Sequence, residues 1–369
     1  MIHSMCLKNF KPFADQFFEF KPLTLLSGLN STGKSSLLQS LLLLRQSHQQ
    51  RLLPNTGLAL NGELVNIGRA QDALFEGAKT EEICFEVVWE NSLEGIWRFN
   101  YAQEVDVLNL ASLPVAPGVY QSSLFNNKFH YLQAERIGPR PFFEMSDFQV
   151  RQLGQLGVRG EYTAHFLSIN GRQLIPNSSL RYPEAKSWDL IDQVEAWMGE
   201  VSPGTRITIN SNPDIDLMSL QYSYGDSNPY RATNVGFGIT YTLPIIVAVL
   251  ASEPGALILL ENPEAHLHPQ GQAKMGELLA LAASCGVQVV IETHSDHVLN
   301  GIRLAVHGGK LEPKYVQLHY FQRQEKLGQA VTEVISPRID RNGRIDQWPD
   351  GFFDEWDKSL EMLLEPAGE

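Results

Sequence analysis

The chain has 369 residues, enough for two or three lobes around at least one large core. It is 43% hydrophobic and 19% charged, ordinary for a globular protein in water, and its net charge is −13. That charge excludes a protein built chiefly to coat nucleic acid, so any nucleic-acid contact must come from a local patch or a partner. Cys6, Cys84 and Cys285 are odd in number, far apart and in no metal-ligand spacing, which predicts free thiols in a reducing cytosol. The first residues hold no long apolar segment, so no secretory signal is expected. The most apolar stretch, 243–260, is broken by Glu253, Pro254 and Gly255 and reads as helix, turn and strand. No membrane partner is expected, and the expected location is cytoplasmic.

In chain order, residues 2–10 and 17–26 are β-like runs with Lys11-Pro12 as the turn between them. A glycine-rich loop over 28–36 follows the buried run 22–27 and precedes a leucine-rich helix. Residues 54–135 contain β-like runs at 83–89, 95–101 and 129–132 among Gly- and Asn-rich neighbours, which predicts a β lobe. Residues 136–205 hold turns and one helical pattern over 188–198, carried by Trp188, Ile191, Val194 and Met198. Ile207, Ile209, Leu217, Leu220, Tyr222 and Tyr224 alternate as strands do. A loop at Val235 opens an apolar helix reaching Ala251. Then come a buried strand at 256–260, a helix at 268–284, a strand at 287–291 and a helix at 295–306. Nearly unbroken apolar strands alternating with helices predict an α/β fold with a parallel sheet covered on both faces. The expected divisions are 1–53, 54–135, 136–252, 253–335 and 336–369.

The loop reads Gly28-Leu29-Asn30-Ser31-Thr32-Gly33-Lys34-Ser35-Ser36. Strand, G-x-x-x-x-G-K-S, helix is the context in which backbone N–H groups and a helix N-terminus cradle a nucleoside triphosphate. Lys34 suits the β- and γ-phosphates, and the Ser35 hydroxyl suits magnesium. A second half of the site needs an acid at the end of a neighbouring strand, and Glu261 closes the apolar run 256–260. A further buried strand ends in Glu292-Thr293-His294-Ser295, which puts His294 at the sheet edge near the γ-phosphate. There it could bond phosphate or the attacking water, or it could simply cap the next helix. His266 and His268 form an H-x-H pair, but no third ligand stands nearby, so a zinc site is rejected. Arg136 and Arg140 are either an anion-contact pair or surface charge.

These segments, with Glu261-Asn262-Pro263-Glu264-Ala265-His266-Leu267-His268-Pro269, resemble the ABC-type ATPases of the RecF, SMC and OLD group. They are most similar to the prokaryotic AAA-labelled defence ATPases that share this architecture. Asn234-Val235-Gly236-Phe237-Gly238-Ile239-Thr240 looks like that subfamily's signature loop. Trp348-Pro349-Asp350-Gly351-Phe352-Phe353-Asp354 resembles the motif of a C-terminal domain of unknown function, and 131–139 also fits. Residues 50–125 match nothing in it. The resemblance implies a P-loop fold of ABC type with a mixed sheet, an N-terminal antiparallel β lobe and an insertion carrying the signature loop. It implies ATP and Mg2+, with ATP bound by Gly28, Asn30, Ser31, Thr32, Gly33, Lys34, Ser35 and Ser36. It also implies a homodimer or higher oligomer in which Gly236, Phe237 and Gly238 face the γ-phosphate held by the other copy. From the residues alone, that loop would rather be a tight turn with Phe237 buried.

Two positions depart from the pattern. Asn262 stands where a glutamate usually polarises the attacking water, and an amide accepts no proton at neutral pH. Glu264 is the nearest carboxylate that could substitute, with His294 assisting. Gly236 stands where many relatives carry serine. Both changes predict slow hydrolysis, with ATP holding a dimer closed. The expected function is a sensor or assembly engine of a multi-protein, antiphage-type system. Its effector, such as a nuclease, would be a separate protein, because about a dozen residues follow Asp357 and no D-x-D cluster occurs in the last hundred. The alternatives are a RecF- or SMC-like DNA-maintenance ATPase and a non-hydrolysing ATP-dependent scaffold. The closing aromatic cluster is either a hydrophobic plug or a docking surface.

Overall fold

The structure, a computed structural model, describes residues 1–326 and 329–365, with side chains described outside 325–330. Its centre is a six-stranded sheet in the order Gln329–Ile335, Val316–Lys326, Leu23–Gly28, Gln288–Glu292, Leu257–Glu261, Phe129–Leu132. All neighbouring pairs are parallel except Gln329–Ile335 with Val316–Lys326. The strand after the phosphate-loop strand in space is therefore Gln288–Glu292, which lies between it and Leu257–Glu261.

The strands of this sheet are apolar on both faces because both faces are covered. Leu23, Leu25, Ile258, Leu260, Val289 and Ile291 point into one core with the helices Phe237–Ala251, Pro269–Ser284 and Asp296–His307. Leu26, Leu257, Leu259 and Val290 point into a second core. There they meet the helix Lys34–Gln49, whose far side packs on a second sheet. That sheet is antiparallel, in the order Phe13–Glu19, Ile2–Phe10, Glu82–Trp89, Glu94–Asn100, Val107–Leu110, Gly57–Ala59. With a sheet on each side, twelve of the helix's sixteen residues are buried, which is why its sequence is leucine-rich all round rather than striped. Arg45 is among them. Its guanidinium lies 3.8 Å from the centre of the Phe129 ring and donates to the carbonyls of Leu124 (2.7 Å) and Asn126 (3.0 Å).

A third, antiparallel sheet lies in the insertion and contains Thr205–Asn212, Leu217–Tyr224, Tyr230–Arg231 and Phe143–Glu144. The helix Leu190–Val201 packs beside it, burying Val194, Trp197 and Met198.

Several expectations need correction. The run 17–26 is two strands in two sheets: Phe13–Glu19 ends the antiparallel pair, and Leu23–Gly28 enters the central sheet after Pro22. The run 129–132 is not part of the β lobe but the edge strand beside Leu257–Glu261. Trp188 lies before its helix, which Asp189 caps. The hairpin Val316–Lys326 with Gln329–Ile335 was not expected. Its first strand pairs with the phosphate-loop strand over the register Val316↔Leu23 to Phe321↔Gly28.

Within the closing segment, Phe352 is fully buried against Tyr320, and Tyr320 Oη donates to the Asp350 carbonyl at 2.9 Å. Trp348 remains 47% exposed, so one ring plugs the core and the other does not. Phe352→Ala should lower unfolding stability by about 3–5 kcal/mol, and Trp348→Ala by clearly less, read from urea midpoints.

Candidate nucleotide site

The phosphate-loop strand ends at Gly28 with φ 138°, and Gly33, with φ 107°, caps the helix Lys34–Gln49. Neither tolerates a side chain. A Cβ on Gly28 would stand 2.1 Å from the Phe321 carbonyl oxygen, and one on Gly33 would stand 2.7 Å from Pro12 Cγ. No side chain caps this helix, so its first N–H groups face the loop, as an anion requires. Lys34 is almost wholly buried, and its ammonium donates to the carbonyls of Gly28 (2.9 Å) and Leu29 (2.7 Å). Burial holds its pKa below the usual lysine range, and the Glu292 charge only partly offsets this. Ser31 takes a positive φ of 61°, and Thr32 Oγ1 donates to the Leu29 carbonyl at 2.7 Å. The unexpected hairpin clasps this turn from outside: Arg323 Nη2 donates to Ser31 O and Thr332 Oγ1 to Thr32 O, both at 2.9 Å.

Glu261 and Glu292 end adjacent parallel strands in direct register. The sequence reading set Ser35 opposite Glu261. In the structure the Ser35 hydroxyl donates to Glu292 Oε1 at 2.9 Å. Glu261 is held from the other side, by the Tyr131 hydroxyl on Oε1 (2.8 Å) and the Ala134 amide on Oε2 (3.1 Å). Burial, and then the Glu261 charge, push the Glu292 carboxyl up to about 7, with Ser35 and Lys34 opposing. Glu292 is thus a site residue that motif reading passed over. Its signal was present, since a carboxylate closing a fully buried strand must face something.

Arg136 is neither an anion contact nor surface charge. It is 1% exposed, and its guanidinium donates to the carbonyls of Gln133 (3.0 Å), Glu261 (2.6 Å) and Asn262 (2.5 Å). It pins the turn that leaves the Leu257–Glu261 strand, where Asn262 has φ 45°. Burial lowers its pKa to about 10. Arg140 is exposed. The Asn262 amide oxygen is buried with no partner, as is Glu292 Oε2.

Glu264 does not stand free to activate water. Its Oε2 accepts from Thr293 Oγ1 (2.7 Å) and its Oε1 from the His294 amide (2.9 Å). It therefore positions the loop that carries His294. The helix after that loop is capped by Ser295, whose Oγ accepts from the Val298 amide at 3.0 Å. His294 is not the cap and its side chain is exposed. Partial desolvation where the ring meets the loop, then the Lys34 charge, lower its pKa against an opposing pull from Glu264.

Gly236 occupies the position before the helix Phe237–Ala251 and offers no side chain to cap it, and Phe237 is 54% exposed rather than buried. Its ring lies 5.4 Å from that of His266, and Gly238 packs so closely that a Cβ there would meet the His266 carbonyl at 2.5 Å. The loop 234–240 therefore rests on the segment following Glu261. His268 caps the helix Pro269–Ser284 through Nδ1. Among the described residues no cluster of three metal-ligating side chains occurs, and no helix is long and apolar enough to cross a membrane.

The residues fit a magnesium-bound triphosphate. The lysine bonds only carbonyls of its own loop, the helix N-terminus is uncapped, and two buried oxygens on the strand ends lack partners. Magnesium commonly takes one or two protein ligands beside substrate phosphates rather than a full protein cage.

Comparison with known proteins agrees with this geometry. Residues 1–137 match the family described as "AAA ATPase domain". Residues 161–300 match "AAA domain, putative AbiEii toxin, Type IV TA system". Residues 311–363 match "Protein of unknown function (DUF3696)". Among curated proteins none matches. Among solved structures, an SMC head bound to the C-winged helix domain of ScpA shares 13% identity at a TM-score of 0.51, covering 91% of this chain and 98% of that one. The SMC head domain from Thermotoga maritima shares 12% identity at a TM-score of 0.46, covering 90% and 98%. Successive segments of the chain thus match AAA-type ATPase domain families and a C-terminal DUF3696 family, and its fold is similar to that of an SMC head.

Proposed function

We propose that the chain binds ATP with magnesium, pairs with a second copy around the nucleotide, and works as the ATP-held sensor or assembly engine of a multi-protein defence system. The observation that carries the nucleotide reading is the convergence of Lys34, Ser35, Glu261, Glu292 and the His294 loop at one edge of the central sheet. Lys34 would hold the β- and γ-phosphates, and Ser35 with the strand-end acids would hold magnesium. Magnesium, when bound, would neutralise charge on the phosphates. His294 would stand over the γ-phosphate, on a loop that Glu264 fixes.

Two observations support pairing. The signature loop presents an exposed aromatic ring and an uncapped helix start on the surface, and it rests on the segment that follows Glu261. A second copy meeting Phe237 would thereby touch the turn that carries Asn262. Slow hydrolysis follows from Asn262 and from Glu264. The first is an amide, and both oxygens of the second are engaged in hydrogen bonds. The defence role and a separate effector, such as a nuclease, rest on the sequence resemblance and on the family described for residues 161–300. A DNA-maintenance role is disfavoured by the net charge of −13.

Lys34→Ala should abolish binding of a mant-labelled ATP analogue in equilibrium titrations. Single-turnover cleavage by the wild type should run at roughly 0.1 per second or slower, given a typical rate near 10 per second and at least a hundredfold loss without a positioned base. Turnover at tens per second would rule out the ATP-held clamp. Light scattering should show ATP converting monomers to dimers. Phe237→Asp should abolish that shift while leaving mant-nucleotide binding intact.

A further inference from the structure

We propose that Glu292, on the strand between the phosphate loop and Glu261, is the carboxylate that reaches the magnesium ion beside Ser35. The assignment rests on the nucleotide reading above and deepens it. Nothing in the phosphate-loop motif calls for an acid at this place, two residues before the histidine.

Three observations point to it. First, the hydroxyl that suits magnesium is already hydrogen-bonded to Glu292 Oε1, at 2.9 Å. Second, Glu292 is 7% exposed, and its other oxygen, Oε2, is buried with no partner. A buried carboxylate oxygen left unpaired is costly, so a site that keeps one has a use for it. Third, both oxygens of Glu261 are already occupied, by Tyr131 Oη and the Ala134 amide. Those two bonds point Glu261 toward the Phe129–Leu132 side of the sheet, away from the strand that leads into the phosphate loop. The strand order completes the argument: Gln288–Glu292 is the direct neighbour of Leu23–Gly28, whereas Leu257–Glu261 is one strand further out. Glu261 in direct register with Glu292 then adds a second negative charge behind the first, which favours a divalent cation over none. The cation would draw Ser35 Oγ and Glu292 Oε2 into one coordination sphere with the phosphate oxygens.

The test is the magnesium dependence of nucleotide binding, which needs no turnover. Affinity for a non-hydrolysable mant-labelled ATP analogue is titrated in Mg2+ and in EDTA for wild type, Glu292→Gln and Glu261→Gln. We expect Glu292→Gln to lose most of the magnesium-dependent gain, the ratio of its affinities in Mg2+ and in EDTA falling roughly tenfold or more. A Glu292→Gln protein that keeps the full gain overturns the assignment, whatever Glu261→Gln does. Wild-type protein that binds no nucleotide overturns instead the reading of the loop itself. Glu292→Asp gives an independent readout if the glutamine variant does not fold. Its carboxylate is one methylene further back, so binding should shift in favour of Ca2+, whose bonds are longer, relative to Mg2+. A purely structural glutamate would leave that preference unchanged, and an unchanged ratio overturns the proposal.

Discussion

The helix after the phosphate loop is walled in by two sheets, and much else follows from that confinement. A helix buried on nearly every side cannot rotate or slide without losing its packing on both sheets at once, and interiors packed at crystal-like density resist this. The strand that feeds it is equally fixed, with a parallel neighbour on each side. The five-residue turn between them, 29–33, therefore has little freedom. Gly28 lies against the backbone of Phe321 and Gly33 against Pro12 and Phe13, so the loop is held open by contacts from both sheets. Even Arg45, deep in the helix, serves this arrangement by satisfying carbonyls of the chain that leads into the edge strand.

Around that fixed loop the polar groups are placed by other buried polar groups, not by the surface. Arg136 ties the carbonyls of Glu261 and Asn262, at the end of the Leu257–Glu261 strand, to that of Gln133 just after the edge strand, and so holds the left-handed turn at Asn262. Tyr131 and Ala134 orient Glu261, and Glu264 orients the loop of Thr293 and His294. Each of these is a hydrogen bond to or from a charged group, the stronger kind. The site is thus preorganised by a layer of residues that do not themselves reach a nucleotide.

How legible was this in the sequence? The loop, its strand and its helix were plain, because a spaced glycine motif between a β-like and a leucine-rich run has few other solutions. The same logic of polar residues closing apolar strands puts Glu261 and His294 at the sheet edge, where the structure has them. Glu292 obeys that logic as well, yet the histidine motif absorbed attention at that strand end. Arg136 reads from sequence as either an anion contact or surface charge, and it is neither, because an arginine in a Gly-Pro-rich turn gives no local sign of burial. Only the packing of Tyr241, Glu261 and Asn262 around it shows that it is buried. Trp188 was drawn into a helix by spacing alone, although Asp189 next to it is the better start.

Local chemistry along the chain was enough to determine the phosphate loop, the parallel α/β core, the apolar helix behind Gly236 and the acid at the end of its neighbouring strand. Periodicity and turn residues act over a few positions, and these features are built within such distances. Strand order is a different matter. It set Glu292 rather than Glu261 against Ser35, sent Phe129–Leu132 from the β lobe to the edge of the core, and laid the hairpin at 316–335 over the phosphate loop. Those outcomes join residues hundreds of positions apart, and no local pattern encodes them. They arise because every apolar strand face must be covered and every buried polar atom matched, a condition that only the whole fold can meet.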